Sequence, residues 1–355
     1  MLASEPWTID RITVERDDDS VTVDMNGWAF ADPVLGPDAV GAFLMNGQPF
    51  AEVHFPVDRA DVGAIFWQRP NARYCGFRCV SSGHYDDVYR DGVLEITYLN
   101  PGPQRLVPAQ QSWYLCDANR EGPFPDEDRR FRVIGNKDLN GFILTGLTDF
   151  KRLDAAANKL AGKGFAEYPR ILDWGCGCGR LARYTARVPG VALTGCDIDA
   201  DNVAWCAEHL EGRFVATTLS PPLPFADASF DLVYGVSVFT HLREPLQDAW
   251  LAELERVTAP GAVLLLTVHG RTALDYAALS PADYRTLEQR IVTRGLYVSS
   301  ANNQIDGHAE HLGEYVNVFH DLSYLRERWG KRFDIIEILP GYIYTHDLVV
   351  MRRRG

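Results

Sequence analysis

The chain has 355 residues, enough for two domains that each bury a core of their own. Its 35 basic and 48 acidic residues leave a net charge of −13, which argues against broad nucleic-acid binding, because that requires a basic footprint. Hydrophobic residues at 46% and charged residues at 23% are ordinary for a globular protein. No apolar run reaches bilayer length, and Met1 to Asp10 lacks the charged start and apolar centre of a signal peptide, so the expectation is a cytoplasmic enzyme with no membrane partner.

Residues 1–115 read as an all-β, sandwich-like domain. Ile12 to Glu15 and Val21 to Met25 alternate apolar and polar positions, the period of a half-buried strand. Phe43 to Met45 and Phe50 to Phe55 flank Asn46-Gly47, a hairpin signal because both turn residues accept a positive φ. Tyr74 to Val80 and Val93 to Leu99 complete the strand-like runs. Trp7, Trp28, Trp67 and Tyr74 read first as core aromatics, with stacking on sugar faces as the alternative. Residues 116–134 have the proline, glycine and charge content of a linker.

From 135 to 355 the pattern becomes α/β. Leu147, Phe150, Leu153, Ala157 and Leu160 recur at helical spacing. Arg170 to Trp174 then reads as a buried strand that runs into Gly175-Cys176-Gly177-Cys178-Gly179, with a helix expected after it on Leu181, Tyr184, Thr185 and Val188. A dinucleotide loop has G-x-G-x-x-G, whereas this one is G-x-G-x-G. The acid ahead of it, Asp173, suits a ligand that carries positive charge. Val191 to Asp197 is a second strand, and Asp197 lies 18 positions past Gly179, near where a nucleotide fold puts its ribose-binding acid. Asp199 or Asp201 is expected to cap the next helix. Phe214 to Ala216, the run ending in Val236 to Leu242, and Ala262 to Val268 supply three more strands, and Phe333 to Leu339 with His346 to Met351 two last ones. The seven cysteines are odd in number and lack paired C-x-x-C spacing, so reduced thiols and no zinc site are expected.

Three stretches, 171–180, 191–199 and 223–242 with its Leu-Pro-Phe…Ser-Phe-Asp-Leu-Val run, resemble in order and spacing the motifs of class I S-adenosylmethionine (SAM)-dependent methyltransferases. The resemblance covers about residues 135–355 and implies a Rossmann-like sheet with helices on both faces, closed by an antiparallel hairpin. It implies SAM as cofactor, held by Asp173, Gly175, Cys176, Gly177, Asp197, Ile198, Thr218, Leu219 and Ser237, with Phe142 and Gly146 near the pocket. Many relatives have an acid near 217 or 218 for the adenine amine, and here threonines stand instead, leaving backbone or hydroxyl groups around Thr218, Leu219 and Ser220. The Gly-Trp-Ala-Phe run at 27–30 and residues 58–77 resemble β-sandwich modules of bacterial enzymes of surface-polysaccharide synthesis.

Methyl transfer is an in-line displacement in which the protein mostly positions the reactants, and an oxygen acceptor can call for a base. His241 and His269, at strand ends facing the expected cofactor, and His320 are the candidates. A structural role is the competing reading for each. His308, His311 and His320 with Glu310 or Glu314 could instead hold a metal, but their spacing is not a zinc pattern and no metal is assigned. The expected function is methyl transfer to a small-molecule or saccharide acceptor at oxygen. Homo-oligomerisation is left open. The alternative is a non-catalytic glycan-binding or assembly factor on the same fold, and a dinucleotide reductase is disfavoured by the glycine spacing.

Overall fold

The computed structural model describes residues 7–30, 41–69, 71–99, 111–299 and 316–355. The chain divides into two compact units. The first comprises residues 1–124, 138–148 and 275–278, and the second 125–137, 149–274 and 279–355.

The first unit holds β1 (Trp7–Asp17), β2 (Ser20–Ala29), β3 (Ala42–Met45), β4 (Gln48–Pro49), β5 (Glu52–Asp58), β6 (Tyr74–His84), β7 (Val93–Leu99) and β8 (Ser112–Cys116). Three short helices accompany them, α1 (Ala60–Ile65), α2 (Tyr85–Val88) and α3 (Ala118–Glu121). The strands form two antiparallel four-stranded sheets, β1-β2-β6-β5 and β4-β3-β7-β8. Asn46-Gly47 makes the expected turn, but it joins β3 to a strand of only two residues. After Phe50 and Ala51 the chain leaves for the other sheet as β5, so Phe50 to Phe55 is not the hairpin's second strand. Trp7 on one sheet meets Phe43, Tyr98 and Trp113 on the other, at ring-centroid distances of 6.4, 5.7 and 6.3 Å. Trp28 packs on Phe66 and on Tyr276. Trp7 and Trp28 are therefore core, whereas Tyr74 is 58% exposed and Trp67 is 36% exposed.

Residues 116–134, expected as linker, contain α3 and a further helix, α4 (Glu127–Ile134). Asp126 caps α4 by accepting from the Arg129 N–H, and Gly135 ends it in the left-handed conformation at φ 68°. The next helix, α5 (Leu139–Ala156), continues into a π turn at Ala157–Ala161. Phe142 and Gly146 fall in the first unit.

The second unit is built on β9 (Arg170–Trp174), β10 (Ala192–Asp197), β11 (Arg213–Ala216), β12 (Phe230–Gly235), β13 (Thr258–Val268), β16 (Phe333–Ile343) and β17 (His346–Arg353), while β14 (Leu296–Ser299) and β15 (Asn317–His320) pair separately. The seven-stranded sheet runs β11-β10-β9-β12-β13-β17-β16. Its first five members are parallel, and β17 is antiparallel to both its neighbours, so the closing hairpin is present. Parallel strands covered on both faces need continuous apolar runs, and Ala262–Val268 is buried at every position. Helix α8 (Glu244–Val257), with Pro245 in its first turn, lays Trp250, Leu251, Leu254 and Val257 against the sheet. Trp250, Trp174, Phe239 and Trp329 form the aromatic centre of that core, with successive ring pairs 4.6–5.1 Å apart. Helix α7 (Ala200–His209) is capped by Asp199. The remaining helices are α9 (Arg271–Asp275), α10 (Pro281–Arg294) and α11 (Leu322–Arg328), and α10 is capped by Ser280 as Ser280-Pro281 suggests.

Two expectations need correction. The helix after the glycine loop, α6, spans only Ala182–Thr185, because Val188-Pro189-Gly190 turns the chain, so no long helix dipole aims at the loop. Strand β12 ends at Gly235, and Val236 to Leu242 is a bent loop rather than its continuation.

Candidate functional site

The parallel strands end side by side, and β9 lies between β10 and β12. Open α/β sheets bind ligands beyond those carboxyl ends. Gly175 follows β9 at φ 82°, and a Cβ there would lie 2.4 Å from Val238 Cγ2. Gly177, at φ 51°, would meet Val133 Cγ2 of α4 at 2.9 Å. The loop thus passes between two side chains with no room for its own.

Its amides turn inward. The N–H groups of Gly175 and Cys176 both donate to the Cys196 carbonyl, at 2.8 and 3.0 Å, Gly177 N–H donates to Asp197 Oδ2 at 2.7 Å, and Gly179 N–H donates to Cys176 O at 3.0 Å. A phosphate-cradling loop offers such donors to its ligand instead. These four are used internally. Cys176 and Cys178 are buried, as are all seven free thiols, and the Cys206 side chain, then burial, push the Cys176 thiol up.

Asp173 is 3% exposed, and its Oδ2 has no hydrogen-bond partner. Burial pushes its carboxyl up to about 7; the Tyr234 hydroxyl opposes this, Asp197 adds to it and Arg180 offsets it. Tyr234 is in turn 2.9 Å from Thr185 Oγ1. Asp197 also titrates above its usual range through burial, although its carboxylate accepts from Gly177 N–H and, at 2.9 Å, from Asp199 N–H. A carboxylate has about four lone-pair sites, so positions remain for hydroxyl donors. Ile198 beside it is 41% exposed, an apolar face at the strand end. Thr218 is exposed with its hydroxyl committed to the Ser220 carbonyl at 2.6 Å, and the Leu219 carbonyl accepts from Trp250 Nε1 at 2.9 Å. A buried carboxyl with one unpartnered oxygen, beside a second carboxyl at the end of the neighbouring strand, fits a ligand that carries a cation and vicinal hydroxyls.

The three histidines part company. Ser237 Oγ is 3.4 Å from His241 Nε2, and His241 Nδ1 donates to the Val316 carbonyl at 2.9 Å. His269 lies 6.2 Å from His241 between ring centroids and stacks on His346 at 4.9 Å and 10°. Burial, then His346, His241 and His320, hold His269 well below the usual histidine range. His320 is 2% exposed, with Nε2 bonded to the Gln247 amide at 2.9 Å and its ring near Trp329. That placement suits packing rather than contact with an acceptor, so of the three rings His320 is the least suited to take a substrate proton. His308, His311, Glu310 and Glu314 lie outside the described residues, among which no group of three His, Cys, Asp or Glu is arranged to hold a metal.

Sequence reasoning missed four participants: Val133 on α4, Tyr234, His346 and the Arg180–Asp149 ion pair at 2.6 Å. The Asp126 cap and the Gly135 stop bracketed α4 and were the available signal. Nothing local announces the other three, since their partners are distant in sequence.

Residues 171–261 match the family model described as Methyltransferase domain. The fatty-acid O-methyltransferase of Mycolicibacterium smegmatis is 34% identical over 139 residues, 37% of this chain and 50% of that protein. The malonyl-[acyl-carrier protein] O-methyltransferase of Enterobacter lignolyticus is 34% identical over 114 residues, 32% of this chain and 43% of that protein. The chain spans half or less of the length of these curated relatives. Among solved structures, a SAM-dependent methyltransferase from Methanosarcina mazei aligns at 20% identity and a TM-score of 0.39, covering 52% of this chain and 92% of that one. Residues 171–261 are a methyltransferase domain, and its cofactor is SAM.

Proposed function

We propose that the whole chain is a methyltransferase that moves the SAM methyl group to oxygen on a small-molecule or saccharide acceptor. The observation that carries this is the inward-bonded Gly175–Gly179 loop set beside two carboxyls, Asp173 with an orphaned oxygen and Asp197 with lone pairs to spare. In this reading Asp173 faces the cationic methionine end, Gly175, Cys176 and Gly177 give close backbone approach, and Asp197 takes the ribose hydroxyls. Ile198 packs on the adenine, and backbone groups at Thr218 and Leu219 border it, because the Thr218 hydroxyl is already bonded. SAM supplies the activated methyl; the protein orients the acceptor, excludes water and receives its proton.

The names of the relatives favour a small molecule, since one acts on fatty acids by its name. The two N-terminal sheets are proposed to form a β-sandwich accessory module, and the exposed rings of Trp67 and Tyr74 support a sugar-facing role for it. We assign the protein to the cytoplasm; no described helix is long and apolar enough to cross a membrane. The test is incubation with methyl-labelled SAM and the small-molecule fraction of a cell extract. Label in a new ether or ester product is expected. Retention of all label in SAM, by protein that binds S-adenosylhomocysteine, would favour the non-catalytic assembly role.

A further inference from the structure

The loop after β12 carries a second arrangement. Ser237 has φ 62°, a left-handed backbone that a residue with a Cβ adopts only where its surroundings impose it, and such residues gather at functional sites. Its N–H donates to Thr267 Oγ1 on β13 at 2.8 Å, which fixes the bend. Its Oγ then stands 3.2 Å from Thr240 Oγ1 and 3.4 Å from His241 Nε2.

On the far side of the imidazole, Nδ1 is 2.9 Å from the Val316 carbonyl. A carbonyl only accepts, so the proton is on Nδ1, and the Nε2 lone pair of the neutral ring faces the serine. The loop is pinned by the Val318 N–H, which donates to the Thr240 carbonyl at 2.8 Å, and by the His241 N–H to the Val238 carbonyl at 3.0 Å. Val238 is also the side chain that crowds Gly175, so the pair borders the cofactor loop. Both residues are half-buried. Burial holds His241 down to about 4, which keeps it neutral through the physiological range.

We infer that Ser237 and His241 form a proton relay for a neutral hydroxyl acceptor, with Ser237 Oγ receiving the acceptor's proton as its own passes to His241 Nε2. This deepens the methyl-transfer reading above and rests on it. As the acceptor oxygen forms its bond to the methyl carbon, the carbon–sulfur bond breaks with its electron pair on sulfur. The products are a methyl ether, S-adenosylhomocysteine and an imidazolium at His241 that returns its proton to solvent. The separation of 3.4 Å is long for a hydrogen bond, as such contacts often are before the reacting complex tightens them. The relay also defines the acceptor class. A carboxylate has no proton to give and would set its charge against the lone pairs of Ser237 and His241, whereas an alcohol, phenol or sugar hydroxyl gives the relay something to do.

Two measurements test this. In histidine-labelled protein without ligand, nitrogen-15 NMR is expected to find His241 protonated at Nδ1, with the Nε2 resonance moved by Ser237→Ala; a proton on Nε2, or no response to Ser237→Ala, overturns the relay. Methyl transfer at saturating SAM is then compared between hydroxyl probes (1-dodecanol, a phenol, methyl glucoside) and their carboxylic acid counterparts. Product from a hydroxyl probe is expected, with kcat falling ~10²–10⁴-fold in Ser237→Ala and His241→Gln. Turnover of an acid probe that neither variant slows would overturn it. Absence of S-adenosylhomocysteine binding would sink the methyl-transfer reading instead, and is read separately.

Discussion

Replacing Gly175 with alanine separates two costs that the structure keeps distinct. The residue has φ 82°, where a Cβ costs about 1–2 kcal/mol, and the new carbon would lie 2.4 Å from Val238 Cγ2. Relieving such a collision in a packed region costs a further ~1–3 kcal/mol. The sum, about 2–5 kcal/mol, is a large part of the ~5–15 kcal/mol that holds a domain folded. Gly190 provides the control: it has the same φ of 82°, but a Cβ there would meet nothing within 4 Å. Gly190→Ala should therefore lose only the backbone part, about 1–2 kcal/mol. Urea unfolding measures both variants, and calorimetric titration with S-adenosylhomocysteine measures the consequence for binding. Gly175→Ala should weaken binding at least ~10-fold, since the loop or Val238 must move, while Gly190→Ala leaves it unchanged. Equal stability losses in the two variants, with binding intact in both, would refute the close-approach argument.

Three further outcomes follow from named contacts. Asp197→Ala should lower affinity for S-adenosylhomocysteine and also reduce stability by ~1–3 kcal/mol for each N–H it orphans, at Gly177 and Asp199; unchanged affinity by titration would remove its ribose role. The Asp173 carboxyl holds its proton to about 7 in the folded chain against an ordinary 3.8, so its contribution to stability is present below 3.8 and lost as pH rises through 7. A cation binds its ionised form better, so SAM affinity should rise from pH 6 to 8 with proton release at the lower pH, and an affinity flat with pH would contradict this. Arg180→Met strands Asp149 in a site where the two side chains are 10% and 8% exposed, and a loss of about 3–5 kcal/mol is expected by denaturant unfolding; a change below 1 kcal/mol would mean the pair is solvated.

Much of the second unit was legible because its rules are local. Buried runs such as Ala262 to Val268, the glycine loop after Arg170 to Trp174, and the acid ending Val191 to Asp197 each announce a strand end from a few neighbouring residues. What resisted reading depends on partners far along the chain. Asp173 meets Tyr234, Gly175 meets Val238, and His241 is oriented by Val316. The same cause hid the path of the chain after Phe50: Phe50 still donates to the Phe43 carbonyl of β3, but from Glu52 onward the strand pairs across the first unit with β6. Helix α4 is a different lesson, since its composition reads as linker while its cap and stop residues read as helix, and the caps were the better guide. His320 had the polar neighbours of a site residue, but Gln247 closes its ring into the core.

The central claim is that the loop and its two carboxyls hold S-adenosylmethionine. Calorimetric titration of the full chain with S-adenosylhomocysteine, with NADH and NADPH as controls, tests it most directly. Saturable one-to-one binding of S-adenosylhomocysteine alone is the result expected. Binding of either dinucleotide, or no binding of S-adenosylhomocysteine by protein shown to be folded, would contradict the account.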